Sequence, residues 1–132
     1  MTFPIIVTAA IIENNGKYLI TQRLKQSHNG LRWEFPGGKL NFGEDPRKGL
    51  EREIMEELGI KVTAGEIFEY SSFVYTAEKH IVLLGFKCEY VSGEIQKLSI
   101  NDYAWVYPDE MSKYDITEAD LPFVHKLGEN KF

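Results

Sequence analysis

An α/β fold, with a mixed sheet covered by helices on both sides, follows from three features of the sequence. An apolar, β-branched run opens the chain. One sharply bounded helix occupies its middle. Further strands then separate that helix from a second one near the end. The 132 residues suit a single domain spanning 1–132, with enough chain to bury a core without staples.

Ile5 to Ile12 reads as a buried strand, stopped by the polar turn "ENNGK". Asn15-Gly16 is a strong hairpin signal, so Tyr18 to Arg23 becomes the partner strand. "LKQSHNGLR" reads as a polar loop, and "WEFPGGK" as a short extended piece that turns glycine-rich. Asp45 suits an N-cap, and Pro46 the first helical position, where its missing N–H costs nothing. Gly59 suits the left-handed position after the last turn, so the helix is expected over Pro46 to Leu58. Strands are expected over Ile67 to Tyr75, Ile81 to Tyr90 and Tyr103 to Tyr107. A final helix is expected from Glu118 to Leu127, broken at Pro122.

The formal charge of −5 argues against a partner made of long nucleic acid, which calls for a basic excess. An anionic small substrate would need local basic groups or a metal. Cys88 is the single cysteine, so an internal disulfide and a cysteine-rich zinc site are excluded; its strand-like surroundings suggest a buried thiol. The apolar amino terminus is too short to span a bilayer and lacks a signal peptide's charged start. No membrane association and a cytoplasmic location are therefore expected.

The central helix poses a question. Glu53, Glu56 and Glu57 lie within five residues, and Glu53 and Glu57 share a face. Leu50, Ile54 and Leu58 form the neighbouring apolar stripe, which places the carboxylates beside a packed edge. Like charges at this spacing cost roughly 0.2–0.5 kcal/mol per pair even when exposed. A solvated acidic face balanced by Arg47, Lys48 and Arg52 is the plainer explanation of the helix alone. A divalent cation is the sharper one, because clustered carboxylates without His or Cys suit Mg²⁺ or Mn²⁺ rather than zinc.

The full spacing decides between them. Gly38, five residues, Glu44, seven residues, then Arg52-Glu53-Ile54-x-Glu56-Glu57-x-Gly59-Ile60 fill every position of G-x5-E-x7-R-E-U-x-E-E-x-G-U, where U is aliphatic. Seven fixed residues at roughly 7% each coincide about once in 10⁸ placements. The stretch over 38–60 resembles the Nudix box, and the chain resembles the Nudix hydrolases. "LITQR", "WEFPGGK" and "TEADLPFVHKL" extend the likeness to the MutT-like branch, including its CTP pyrophosphohydrolases.

That resemblance implies a loop–helix–loop in an α/β/α sandwich. It implies metal-dependent hydrolysis of a nucleoside diphosphate linked to another group. Glu53, Glu56 and Glu57 would be the metal-binding carboxylates, with Gly38 letting backbone approach the site. Arg52 would orient Glu53, and Glu44 would hold the loop. Arg23 would contact nucleotide, Lys39 phosphate, Phe35 would lie in the base pocket, and Asp120 would read a base edge. Asp120 capping the turn before Pro122 explains that residue equally well. Trp33 reads as a core aromatic, and His28, His80 and His125 as incidental.

The branch implies a nucleoside triphosphate substrate cleaved to monophosphate and pyrophosphate with Mg²⁺, or with Mn²⁺ in its place, by a monomer or homodimer. ADP-ribose, dinucleoside polyphosphates and nucleotide sugars are alternative substrates, and a non-catalytic nucleotide sensor is a third reading. Thr76 and Glu78 stand where ADP-ribose and dinucleoside enzymes tend to place Pro and Tyr. One departure concerns the base. MutT-like enzymes often carry a Glu about six residues before a late-strand Trp, and Ser99 stands there relative to Trp105. The general base is left among Glu53, Glu56 and an outside carboxylate, with Asp102 and Glu78 as stand-ins.

Overall fold

The computed structural model describes residues 2–129. Its strands are β1 (Ile5–Asn14), β2 (Lys17–Gln22), β3 (Trp33–Glu34), β4 (Gly37–Lys39), β5 (Lys61–Thr76), β6 (Lys79–Ser92) and β7 (Asp102–Val106). Its α-helices are α1 (Pro46–Leu58) and α2 (Leu121–Glu129), with 3₁₀ turns at Pro108–Lys113 and Glu118–Asp120. β1 organises the sheet. One edge runs parallel to β6, from Ile5 opposite Ile81 to Ile12 opposite Cys88. The other edge is divided, with β4 against Val7 to Ala9 and β2 against Glu13 and Asn14. β2 goes on to pair with β3 and β7, and β5 lies outside β6.

Alternation along β1 splits the core in two. Ala9 and Ile11 join Ile20, Phe35, Phe68, Leu83 and Phe123 on the side covered by α2 and the 3₁₀ turns. Ala10 and Ile12 join Leu19, Leu50, Ile54, Leu58 and Phe86 on the side covered by α1. The layering expected from the sequence, helix on sheet on helix, is therefore present.

α1 has the predicted bounds for the predicted reasons. The Asp45 carboxylate accepts the N–H groups of Arg47 and Lys48, at 2.9 and 3.3 Å. Gly59 adopts φ 69° and returns its N–H to the carbonyl of Met55. Leu50, Ile54 and Leu58 are fully buried, each contributing about 1.5–3 kcal/mol of apolar burial. The opposite flank is tied to β5: Glu51 accepts the Ala64 N–H, and Arg47 donates to the Gly65 carbonyl.

Several boundaries differ from the sequence reading. β5 begins six residues before Ile67, because register shifts around Ala64 and Ile67 absorb the Gly65-Glu66 interruption and pairing resumes beyond it. β6 is likewise longer at both ends. Pro122 does not break the last helix. It occupies the second position of α2, where the N–H it lacks has no intrahelical partner in any case. The turn at Pro108–Lys113 is an element the sequence reading did not contain. Cys88 is only half-buried.

The cap makes a direct claim on stability. Asp45→Ala is expected to cost about 1 kcal/mol in urea unfolding. No loss of stability would mean that packing alone sets the start of α1.

Candidate active site

β4 crosses close over α1. An ideal Cβ on Gly38 would lie 2.5 Å from the carboxyl carbon of Glu53, so any other residue there would push that side chain from its position. The Gly38 carbonyl accepts the Thr8 hydroxyl at 3.1 Å, fixing the loop to β1. Arg52 gathers the acidic side chains of this region. Its guanidinium holds Glu44 through two bonds of 2.7 and 2.9 Å, Glu53 through one of 3.0 Å, and both oxygens of Glu56 at 3.0 Å. It also reaches the Lys39 carbonyl at 3.3 Å. The Arg52 bonds, with the Asn41 N–H, hold the Glu44 carboxyl at about 2.

Beside this network opens a cleft of about 330 Å³. Glu53 and Glu57 line it, as do the cations Arg23, Lys39 and Lys79. Phe35 and Asp120 line it too, and both are almost fully buried. Glu44, Arg52 and Glu56 are not among the lining residues; Glu56 is about half exposed.

Three carboxyl groups in the cleft are pushed above the ordinary range. Burial, then the charges of Glu34 and Glu53, raise Glu57 to about 8. Burial and the charge of Glu34 raise Asp120 to about 7, against the pull of the Thr117 hydroxyl and the Phe35 N–H. Burial also raises Glu34, opposed by Arg23, which reaches both of its oxygens at 3.0 and 3.1 Å.

Among the described residues, no three His, Cys, Asp or Glu side chains converge as a ready-made metal cluster. The donor set nevertheless suits a hard divalent cation. It is all oxygen, and such an ion would offset both the burial and the repulsion from Glu34, Glu53 and Glu56 that lift Glu57.

A family model described as the NUDIX domain matches residues 2–127. The chain belongs to the NUDIX family. It is 38% identical over 118 residues to the CTP pyrophosphohydrolase of Escherichia coli strain K12, covering 89% of this chain and 87% of the relative. It is 30% identical over 122 residues to the 8-oxo-dGTP diphosphatase of the same strain, covering 92% and 94%. The crystal structure of the MutT protein from Methanosarcina mazei Go1 superposes with a TM-score of 0.87 at 29% identity, over 99% of this chain and 98% of that one. The chain is thus a NUDIX hydrolase.

Membership in the NUDIX family gives context to the sequence expectations. Arg23, Phe35, Lys39 and Asp120 meet in one cleft although 97 residues separate the first from the last. Asp120 does not cap the turn before Pro122. Its carboxylate accepts the Phe35 N–H at 2.9 Å and the Thr117 hydroxyl at 2.6 Å. Trp33 packs edge-on against Tyr114 beside the core. Asp102 pairs with Lys97 at 3.1 Å, and neither it nor Glu78 lines the cleft. Two carboxylates from outside the box do line it, Asp120 and one that the sequence did not single out, Glu34. Its only sequence signal was its place beside the glycine turn, in "WEFPGG". Lys79 and His28 were passed over as well, and both line the cleft. No helix of the described residues is long and apolar enough to cross a membrane.

The raised carboxyl has a thermodynamic consequence. Folded Glu57 keeps a proton that the unfolded chain releases near pH 4, so this group costs stability progressively from about pH 4 to about 8. In metal-free protein, Glu57→Gln is expected to stabilise by roughly 1–2 kcal/mol at pH 8, discounted for partial exposure, and by almost nothing at pH 4. Denaturant unfolding in chelator at the two pH values measures the difference. Equal effects at both would show that folding does not raise the Glu57 carboxyl.

Proposed function

We propose that the chain is a Mg²⁺-dependent nucleoside triphosphate pyrophosphohydrolase, splitting a (d)NTP with water into the monophosphate and pyrophosphate, with Mn²⁺ as a substitute ion. The observation that carries this reading is one cleft lined by box carboxylates, by three cations, and by a buried aromatic–carboxylate pair. Those are the needs of a metal, a polyphosphate and a base. The printed activities of the two Escherichia coli relatives support it.

Glu53, Glu56 and Glu57 would hold the divalent ion, which when bound draws charge off phosphoryl oxygens and lowers the pKa of an attacking water. Arg52 and Glu44 keep Glu53 and Glu56 in fixed positions. Lys39 and Arg23 line the cleft where phosphates would be neutralised, offsetting the −5 charge of the chain locally. Glu53 or Glu56 accepts the proton of the attacking water. Phe35 packs against the base, and Asp120 meets its polar edge. The whole chain works as one domain, since both cores share a single sheet. A nucleotide substrate and a free Cys88 thiol fit a cytoplasmic enzyme.

Pyrophosphate release from a panel of nucleotides with Mg²⁺ tests the reading. The panel holds the canonical ribo- and deoxyribonucleoside triphosphates, 8-oxo and 5-methyl variants, and ADP-ribose, compared by kcat/KM. Triphosphates are expected to lead; a clear preference for ADP-ribose would overturn the substrate class. Glu53→Gln and Glu56→Gln are each expected to lower kcat by at least ~10². Wild-type turnover in both variants, with metal binding intact, would remove them from the chemistry. Asp120→Ala is expected to alter the ranking of bases more than kcat on a good substrate.

A further inference from the structure

We propose that Thr117 sets the base preference of the cleft: its hydroxyl biases Asp120 toward the ionised form, which only accepts hydrogen bonds, favouring bases with an exocyclic amine over bases with a carbonyl at that edge. The inference rests on the proposed function, and within it assigns selectivity to a residue behind the one that meets the base.

Thr117 is almost fully buried and lines the cleft beside Asp120. Two backbone bonds lock its position: its N–H donates to the Trp33 carbonyl at 2.9 Å, and its carbonyl accepts the Asp120 N–H at 3.0 Å. The hydroxyl then lies 2.6 Å from Asp120 Oδ1, while the Phe35 N–H lies 2.9 Å from Oδ2. Both oxygens of Asp120 therefore already accept one protein donor, and each retains a lone pair for a ligand. In its ionised form a carboxyl so held offers only acceptors. An amine N–H satisfies it, whereas a carbonyl oxygen meets it with repulsion.

The other groups around Asp120 act in both directions. Glu34 from β3 disfavours its ionised form, and Arg23, just past β2, favours it. Tyr75 from β5 packs against the same turn, where its hydroxyl oxygen accepts the Ala119 N–H at 3.0 Å. Glu118, on the turn itself, is drawn away by Arg32 at 2.6 Å. With burial and Glu34 opposing the charge, the Thr117 and Phe35 donors work with Arg23 to sustain it. Of these, only the Thr117 hydroxyl can be deleted almost isosterically. Without it a neutral Asp120 becomes more populated, and a neutral carboxyl can donate to a carbonyl.

The test compares kcat/KM for CTP against UTP, and for ATP against ITP, in wild type, Thr117→Val and Thr117→Ser. In each pair the bases differ by an amine in place of a carbonyl, and the adjacent ring nitrogen changes from an acceptor to an N–H donor. The amine-to-carbonyl ratio is expected to favour the amine in wild type and to fall about tenfold in Thr117→Val, the size of one hydrogen bond to a charged group. Thr117→Ser is expected to restore it. In Thr117→Val the ratio is expected to recover between pH 7 and pH 9, because losing a donor raises the Asp120 pKa and higher pH ionises it again. Calorimetric binding of CMP and UMP gives the same ratio without turnover, and Thr117→Ala replaces Thr117→Val if the latter does not fold. Hydrolysis of triphosphates with a ratio unmoved by loss of the hydroxyl would overturn this inference and leave the proposed function standing. No turnover of any triphosphate by the wild type would overturn the proposed function itself.

Discussion

The five bonds from Arg52 to Glu44, Glu53 and Glu56 are the constraint on which the site depends. Carboxylates spaced three and four apart on a helix repel, and a flexible lysine would meet them as a single point charge. A planar guanidinium presents several donors at fixed angles, so it can bond three carboxylates at once and leave each in a defined rotamer. The same side chain reaches the Lys39 carbonyl and thereby joins α1 to β4. Acidic charge can then be concentrated at the cleft without loosening the element that carries it.

Glu57 is the member of the cluster that Arg52 does not bond, and among the helix carboxylates it is the one pushed up to about 8. The division is chemically useful. Glu53 and Glu56 are neutralised by a resident cation, while Glu57 is left to burial and to repulsion from Glu34, Glu53 and Glu56. Asp120 is under a milder version of the same stress elsewhere in the cleft, with Glu34 contributing to both. Glu34 thus exerts its field on Glu57 and Asp120 together, and Arg23 tempers it.

Legibility varied with the range of the interactions involved. The bounds of α1 were readable because a cap at Asp45, a proline at the first turn and a left-handed Gly59 act within a few residues. β5 was read short because Gly65-Glu66 looks like an end in one dimension, and only pairing with β6 shows that the strand continues past a bulge. Pro122 was read as a break because proline usually ends a helix. Whether it starts or stops one depends on where the preceding 3₁₀ turn hands over. Glu34 was missed because a lone glutamate in an extended stretch has no periodicity to mark it. Its importance comes from facing Glu57 and Asp120, which are distant in the chain.

By itself the sequence determined the family, the layered fold, the central helix and the residues of the box, because each is written in local spacing that propensity, capping and side-chain period convert directly into structure. The tertiary structure alone decided that Asp120 turns back to Phe35 and Thr117, that Glu34 lines the cleft while Asp102 and Glu78 do not, and that Lys79 joins Arg23 and Lys39. The physical reason is that charge, burial and hydrogen-bond complement are properties of neighbours in space. In this chain those neighbours are brought together by sheet pairing between segments as far apart as β1 and β6.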